Sequence, residues 1–589
     1  MRRALLFLAC ALVLVSCANV PQESLPVVVS AEKAPQQAND APEPPANADP
    51  LDIVRLFIKA NADPRSGNAA SRAFLDDKQR GAWRPNRSFT IIDKTFSTVY
   101  DTAASTGPTA TPTPSSTAPD PNVRTVSVRG SVLGTLSADS AFIPGSGPAE
   151  QTFQVRKQAD GQWRISSPPP PVLLVTDDEF DGNYNPVSVS FYSADSGSFV
   201  PDLRYVPAKP QSGMPGRVMD LILQGPSAGL TGAVKNLFGD GVSLENNVKN
   251  NDDGSLTVQL TGLAGASPET RSLIAAQIVL SMQTVTSTRI RLLADGAPLV
   301  QGHEYWRSSD VPAYNAASSP SSDLQGLMTI GGRIRSLGDG APIAGAAGNG
   351  AYAVVSAAQS IDGKRLAVVE QDGDRVRLRI GDLGRDLPTV DLGGGSLSRP
   401  TWRPAQTGAG PSNEVWTVVD HSIIARMVLD PNGHWLRQSV NANDLLALGP
   451  IGVLRLSRDG ARVAATVNGQ LVVASVVRSG DTVTLREPRV LQPGVLSDVS
   501  DVDWGSTPDT LVAATSSPSQ PVQRLSVDGR RMDAYNSSNL TAPVRAVAAA
   551  PSRPIVVADA GGLWTATELG EVWRPQAHSM QNADPFYPG

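Results

Sequence analysis

Cysteine, histidine and clustered carboxylates carry most of the chemistry a chain can perform, and here each is sparse. The 589 residues include two cysteines, Cys10 and Cys17, and four histidines, His303, His421, His434 and His578. The histidines are too far apart in the chain for metal-ligand spacing, so surface or structural roles are expected of them. Asp177, Asp178, Glu179 and Asp181 have the donor type for calcium but not the alternating spacing of a calcium loop; a solvated acidic turn in a linker is expected instead. No Gly-x-Ser-x-Gly nucleophile elbow occurs, and Gly393, Gly394 and Gly395 lack the following Lys of a phosphate-cradling loop. No catalytic residue, metal site or cofactor is assigned on this pattern. The chemical handle that stands out is the thiol of Cys17.

Cys17 follows an export signal. Met1, Arg2 and Arg3 make a small cationic start, and residues 4–15 are apolar, too short to span a bilayer core, which takes roughly 20 residues. The residues flanking Arg2 and Arg3 do not support twin-Arg export. Leu14, Val15, Ser16 and Cys17 resemble the bacterial lipobox, in which signal peptidase cuts before a Cys whose thiol has been acylated. The resemblance implies that residues 1–16 leave as a signal peptide, with cleavage between Ser16 and Cys17, and that Cys17 becomes a lipidated N-terminus. Cys10 leaves with the signal, so the mature chain has one thiol to acylate and none for a disulfide. One acyl chain holds only marginally, whereas two or three hold firmly. The formal net charge is −6 and becomes more negative when Arg2 and Arg3 are removed. That sign argues against nucleic acid and against electrostatic membrane binding, both of which need clustered Lys and Arg.

The rest of the chain must be read as several folds, because at about 150 residues per domain this length suggests three or four. Residues 17–48 are rich in Pro, Ala, Gln and Asn and read as a flexible tether. Asp49 and Pro50 start a helix carrying Ile53, Val54, Phe57 and Ala60, and residues 69–83 form a second amphipathic stretch. Strands are expected over 88–99, 125–136, 152–155 and 162–165, the last two joined as a hairpin at Asp160 and Gly161. Residues 49–171 are thus a small α+β domain with an exposed low-complexity loop at 102–121, closed by a stiff proline spacer at 168–171.

Residues 172–312 read as a second α+β domain. Val187, Val189 and Phe191 alternate on one strand, and residues 204–206 make another. A helix over 215–223 stops at Gly225 before Pro226, a hairpin spans 242–260, and a helix capped by Ser267 leads to a strand over 288–293. Phe191 with Tyr192, the Leu223-Gln224-Gly225-Pro226 turn, Leu256-Thr257-Val258 after Asp253-Gly254, and Ala294-Asp295-Gly296 resemble the GerMN domain of bacterial envelope proteins over about residues 187–300. That family carries no established catalytic residues.

From residue 324 the chain is repetitive. Ser360-Ile361-Asp362-Gly363 with Leu366-Ala367 recurs as Ser457-Arg458-Asp459-Gly460 with Val463-Ala464, and Trp402, Trp504 and Pro551 precede comparable apolar strands. The spacing of about 42 to 55 residues is that of a four-stranded propeller blade, and the Ser-x-Asp-Gly form resembles TolB-type propellers. Five units are countable, and residues 324–355 supply a sixth, so residues 324–589 read as a six-bladed β-propeller. Trp402, Trp416, Trp435 and Trp504 read as blade-packing residues.

A lipobox Cys, a tether, an α+β domain, a GerMN-like domain and a C-terminal propeller, in that order, resemble the actinobacterial LpqB lipoprotein family over the whole mature chain. The resemblance implies a non-enzymatic lipoprotein anchored at the extracytoplasmic face of the cell membrane by lipid on Cys17. Its implied partner is the extracellular domain of an MtrB-type sensor histidine kinase, whose signalling in cell-wall and division homeostasis it modulates. A cell-wall component stands as a further candidate partner. The alternative is an envelope sensor or hydrolase that takes saccharide or peptidoglycan fragments in the propeller mouth, since paired carboxylates can be brought together by folding.

Overall fold

The structure is a computed structural model and describes residues 44–101, 120–167, 169–239, 241–314, 321, 323–390, 392–404 and 411–589. The signal peptide, Ser16, Cys17, most of the tether and nearly all of the 102–121 loop lie outside the described residues. Residues 44–589 form one compact unit.

The first helix, Pro50–Ala60, starts where its sequence says it must. Asp49 accepts the Asp52 amide at 3.0 Å, Pro50 holds the first helical position, and Ile53, Val54, Phe57 and Ile58 are buried. The stretch at 69–83 is not one amphipathic helix. Arg65–Arg72 contains a left-handed run at Ser66, Gly67 and Asn68, and a separate helix, Asp77–Ala82, begins at its own cap, Asp76. Phe74 and Leu75 are buried between the two.

These helices cover a mixed sheet in the order Trp163–Ile165, Pro148–Lys157, Val123–Leu136, Phe89–Ile92, Leu173–Thr176, with Ser97–Tyr100 and Phe142–Pro144 also paired to the long strand. The strand expected over 88–99 is therefore two strands, parted where Asp93 accepts the Thr95 amide at 2.7 Å. The hairpin at Asp160 and Gly161 forms as expected, pairing Val155 with Ile165.

The end of this domain differs from the boundary drawn at Pro171. Leu173–Thr176, buried throughout, runs parallel to Phe89–Ile92 and so belongs to the first sheet. A parallel partner more than 80 positions away leaves no local trace in the sequence. Helix Asp177–Asn183 follows at once, so Asp177, Asp178, Glu179 and Asp181 occupy a helix rather than a linker. Acidic residues suit its N-terminal turn, and Phe180 stacks on Tyr184 at 5.0 Å in the first core.

The second domain begins with the hairpin Tyr184–Ser193 and Ser198–Pro207. Its other sheet runs Ser243–Leu244, Leu256–Thr261, Ile290–Ala294, Ala297–Pro298. Leu256–Thr261 lies parallel to Ile290–Ala294, so the link between them must be a crossover, supplied by helix Pro268–Met282. Ser267 caps that helix at 3.1 Å, and every residue from Ile274 to Met282 is buried. Met214–Gln224 ends at Gly225, whose φ of 94° permits the stop before Pro226.

The propeller comprises, among the described residues, one three-stranded and five four-stranded sheets. Each inner strand packs on the next, and the ring is closed by the C-terminus: Asp584–Phe586 pairs with Leu327–Ile330 and packs against Ala546–Ala548 and Val354–Gln359. The Ser-x-Asp-Gly repeat is a turn between strands. Ser360 and Ser457 each donate to the Asp two residues on, which accepts the amide two further on, and each Ser oxygen accepts the amide five residues away. Gly363 and Gly460, with φ of 74° and 72°, supply the left-handed step.

Candidate functional site: the three-domain junction

The histidines stay apart. His303 packs on Trp306 and lies 3.7 Å from Asp310, the Nδ1 of His421 lies 3.0 Å from the Ile451 carbonyl, His434 lies 3.6 Å from Asp430, and His578 sits beside Gly340. Among the described residues no group of three or more His, Cys, Asp or Glu side chains has the geometry for a metal ion. Trp402, Trp416 and Trp504 are fully buried, and their indole N–H groups donate to the Ala358 carbonyl, Glu414 and the Arg455 carbonyl.

Carboxylates on the inner propeller strands are held by their neighbours. Asp501 pairs with Arg455 at 3.0 Å and accepts the Val547 amide, also at 3.0 Å. Asp503 accepts the amides of Trp504 and Ala549 at 2.9 and 3.1 Å, and Asp584 pairs with Arg545. Burial brings the Arg455 guanidinium down to about 10, and Arg399 adds to the effect. These contacts join neighbouring sheets across the ring, which is a structural use of charge.

The polar groups with the widest reach lie where the three folds meet. Strand Ser198–Pro207 places Val200, Asp202, Arg204 and Val206 on one face, so two charges point where a core residue is expected. Arg204 meets Asp202 through two nitrogens at 2.6 and 3.0 Å, donates to the Gly225 carbonyl at 3.0 Å, and reaches the Asp139 carbonyl of the first domain. Asp202 also accepts the Ser227 amide and hydroxyl at 2.7 and 2.8 Å. Asp139 returns the link by accepting the Ala228 amide at 3.0 Å.

The propeller reaches this face with its turns. Ser526-Val527-Asp528-Gly529 is a third Ser-x-Asp-Gly turn, built like the others, with Gly529 at φ 74°. The half-buried Asp528 accepts the Tyr205 hydroxyl at 2.9 Å; desolvation raises its pKa, and burial of Tyr205 together with the Asp528 charge pushes the phenol above its ordinary range. Two residues on, Arg530 pairs with Asp181 at 2.7 Å and lies over the Phe180 ring. From the neighbouring sheet Arg462 donates to the Pro201 carbonyl at 2.6 Å. A cavity of about 50 Å³, lined by Phe142, Asp202, Arg462, Arg489 and Asp528, remains at the meeting point, room for little beyond water.

A second clamp lies at the hairpin tip. Glu414, 2% exposed, lies within 2.8 Å of Arg478, 3.4 Å of Arg426 and 3.7 Å of Arg403, and accepts the Trp416 indole at 2.5 Å. Asp195 of the second domain lies 3.5 Å from Arg478, and its carbonyl accepts from Arg403 at 3.0 Å. Burial works to raise the pKa of Glu414, but Arg478, Trp416 and Arg403 outweigh it and hold the carboxyl below its ordinary range. The sequence carries one signal for this junction, the Ser-x-Asp-Gly turn at 526–529, which is displaced to a later strand pair of its sheet than at 360–363 and 457–460 and so falls outside the period of the repeat.

Two α+β domains locked by buried charge to a closed propeller define a multidomain scaffold rather than a single-site protein. Family models match each part: "Lipoprotein LpqB, N-terminal domain" over residues 43–181, "Sporulation and spore germination" over 189–300, and "Lipoprotein LpqB beta-propeller domain" over 332–588. The chain is 31% identical to Lipoprotein LpqB of Rhodococcus opacus over 92% of its own length and 89% of the relative's. It is 31% identical to that of Mycolicibacterium smegmatis, covering 96% and 95%, and 30% identical to that of Mycobacterium tuberculosis, covering 95% and 94%. The chain belongs to the LpqB lipoprotein family. The relatives are named lipoproteins, which implies a lipid-anchored membrane protein, and no helix among the described residues is long and apolar enough to cross a membrane.

Proposed function

We propose that the protein is a non-enzymatic accessory subunit of an MtrB-type sensor histidine kinase, tethered by lipid on Cys17 at the extracytoplasmic face of the cell membrane and tuning envelope signalling. The observation that supports this is the junction. Because Arg204, Tyr205, Asp528, Arg530 and the Glu414 cluster join the three folds, the second domain and the propeller present one composite surface. A rigid composite surface loses little conformational freedom when it docks, which favours protein recognition over chemistry at a single pocket. The polar tether, residues 17–48, gives such a surface reach from the membrane.

Capture tests it. The kinase extracellular domain immobilised on a resin is expected to retain the purified mature protein, and Arg530→Ala, which loosens the junction without entering the composite surface, is expected to weaken retention. Passage of the intact protein straight through the resin would contradict the proposal.

A further inference from the structure

Between the first and second domains lies an open cleft of about 370 Å³, within the size range of small-molecule sites and bordering the charged junction at Tyr205. Its walls mix aromatic rings, Phe89, Tyr184 and Tyr205, with polar side chains from both domains. Several of those polar groups have unused bonding capacity. Asn61, 2% exposed, donates its amide to the Leu174 carbonyl at 3.0 Å, but its Oδ1 is buried without a partner. The Tyr184 hydroxyl and the side chains of Arg87, Asp220 and Gln224 make no hydrogen bond or ion pair among the described residues, although all line the cleft.

Asn61 Oδ1 is a buried acceptor left unpaired, which weakens a fold unless something donates to it, and beside it the exposed side chains of Arg87, Asp220 and Gln224 are free to meet a ligand. The charges state which kind. Arg87 and Arg217 face a single carboxylate, Asp220, leaving one positive charge in excess. Arg217 is held in place by donating to the carbonyls of Lys209 and Pro210 at 2.9 and 3.1 Å, whereas Arg87 is exposed and unengaged. Guanidinium groups bind carboxylates in a matched fork, and the amide and phenol groups supply complementary sites for hydroxyl or amide substituents.

We propose that this cleft binds a small organic carboxylate that also carries hydroxyl or amide groups. The carboxylate meets Arg87, the neutral polar groups meet Asn61, Tyr184 and Gln224, and the body of the ligand lies against the aromatic rings. Tyr205 walls the cleft while its hydroxyl holds Asp528, so the occupant touches a residue that anchors the propeller.

N-Acetylmuramic acid is the probe, and N-acetylglucosamine, the same sugar without the lactyl ether that bears the carboxylate, is the comparison. Isothermal titration of the full mature chain is expected to show saturable binding of the first, with the second at least about tenfold weaker. Arg87→Ala is expected to weaken binding of the acid by about tenfold, and Ala138→Trp, which fills the cleft from an exposed lining position, to abolish it. Absence of saturable binding, equal binding of the two sugars, or binding that survives both substitutions would overturn the proposal. Arg87→Ala alters an exposed, unpartnered side chain, so its result does not depend on whether the tryptophan variant folds.

Discussion

Glu414→Gln is the sharpest perturbation of the junction. Glutamine keeps the shape and can still accept the Trp416 indole, so what is removed is the one charge that Arg403, Arg426 and Arg478 share. Breaking a buried ion pair from one side costs about 3–5 kcal/mol, because the remaining charge stays desolvated. Asp195, 43% exposed, still lies near two of the arginines, which places the loss near the lower end, about 3 kcal/mol. At about 1.4 kcal/mol per factor of ten, amide exchange in Glu414–Val419 and Ile423–Leu429 should accelerate by about two powers of ten. Exchange is the right assay because a chain of several domains need not unfold in two states. The pH dependence follows from the depressed pKa. The Glu414 contribution is complete above the ordinary glutamate value, about 4.3, and is lost as pH falls through the lower folded value, so the variant should lack that acid-side loss. Asp195→Ala, by contrast, should cost less than about 1 kcal/mol. An exchange change in Glu414→Gln no larger than that in Asp195→Ala would refute the reasoning.

Tyr205→Phe should remove a hydrogen bond to a half-buried carboxylate and lower stability by about 1.5–3 kcal/mol, seen as faster exchange in Val522–Ser526. Gly134→Ala should destabilise the first domain by about 1–3 kcal/mol, read as faster amide exchange in Phe142–Pro144 and Val123–Leu136, because its Cβ would overlap the Phe142 ring and the Ile143 carbonyl. Cys17→Ala should leave the precursor unprocessed and unlabelled by palmitate, and labelling that persisted in that variant would sink the lipidation assignment.

What could be read from the sequence is what local chemistry decides. Asp49 before Pro50, Ser267 before Pro268, Gly225 before Pro226 and the Asp-Gly turns each satisfy backbone groups within a few residues of themselves, so their outcomes are written beside them. The domain order is legible for the same reason, each fold having its own periodicity. The parallel strand Leu173–Thr176 is not, nor is the return of Asp584–Phe586 to the first propeller sheet, because both depend on partners far along the chain. The junction was hidden more deeply. Asp202 and Arg204 sit at core positions of an alternating strand, and only the arrival of Asp139 and Ser227 shows why charge is tolerated there. Glu414 likewise opens a run of buried residues, and its arginines come from three separate strand regions.

The most direct test of the accessory role is kinase autophosphorylation in proteoliposomes holding the full-length kinase, with and without the lipidated protein in the same bilayer. A change in the initial rate that requires the lipid on Cys17 and is diminished by Arg530→Ala is the result predicted here. An initial rate unaffected by the wild-type lipoprotein at saturating surface density would contradict the central claim.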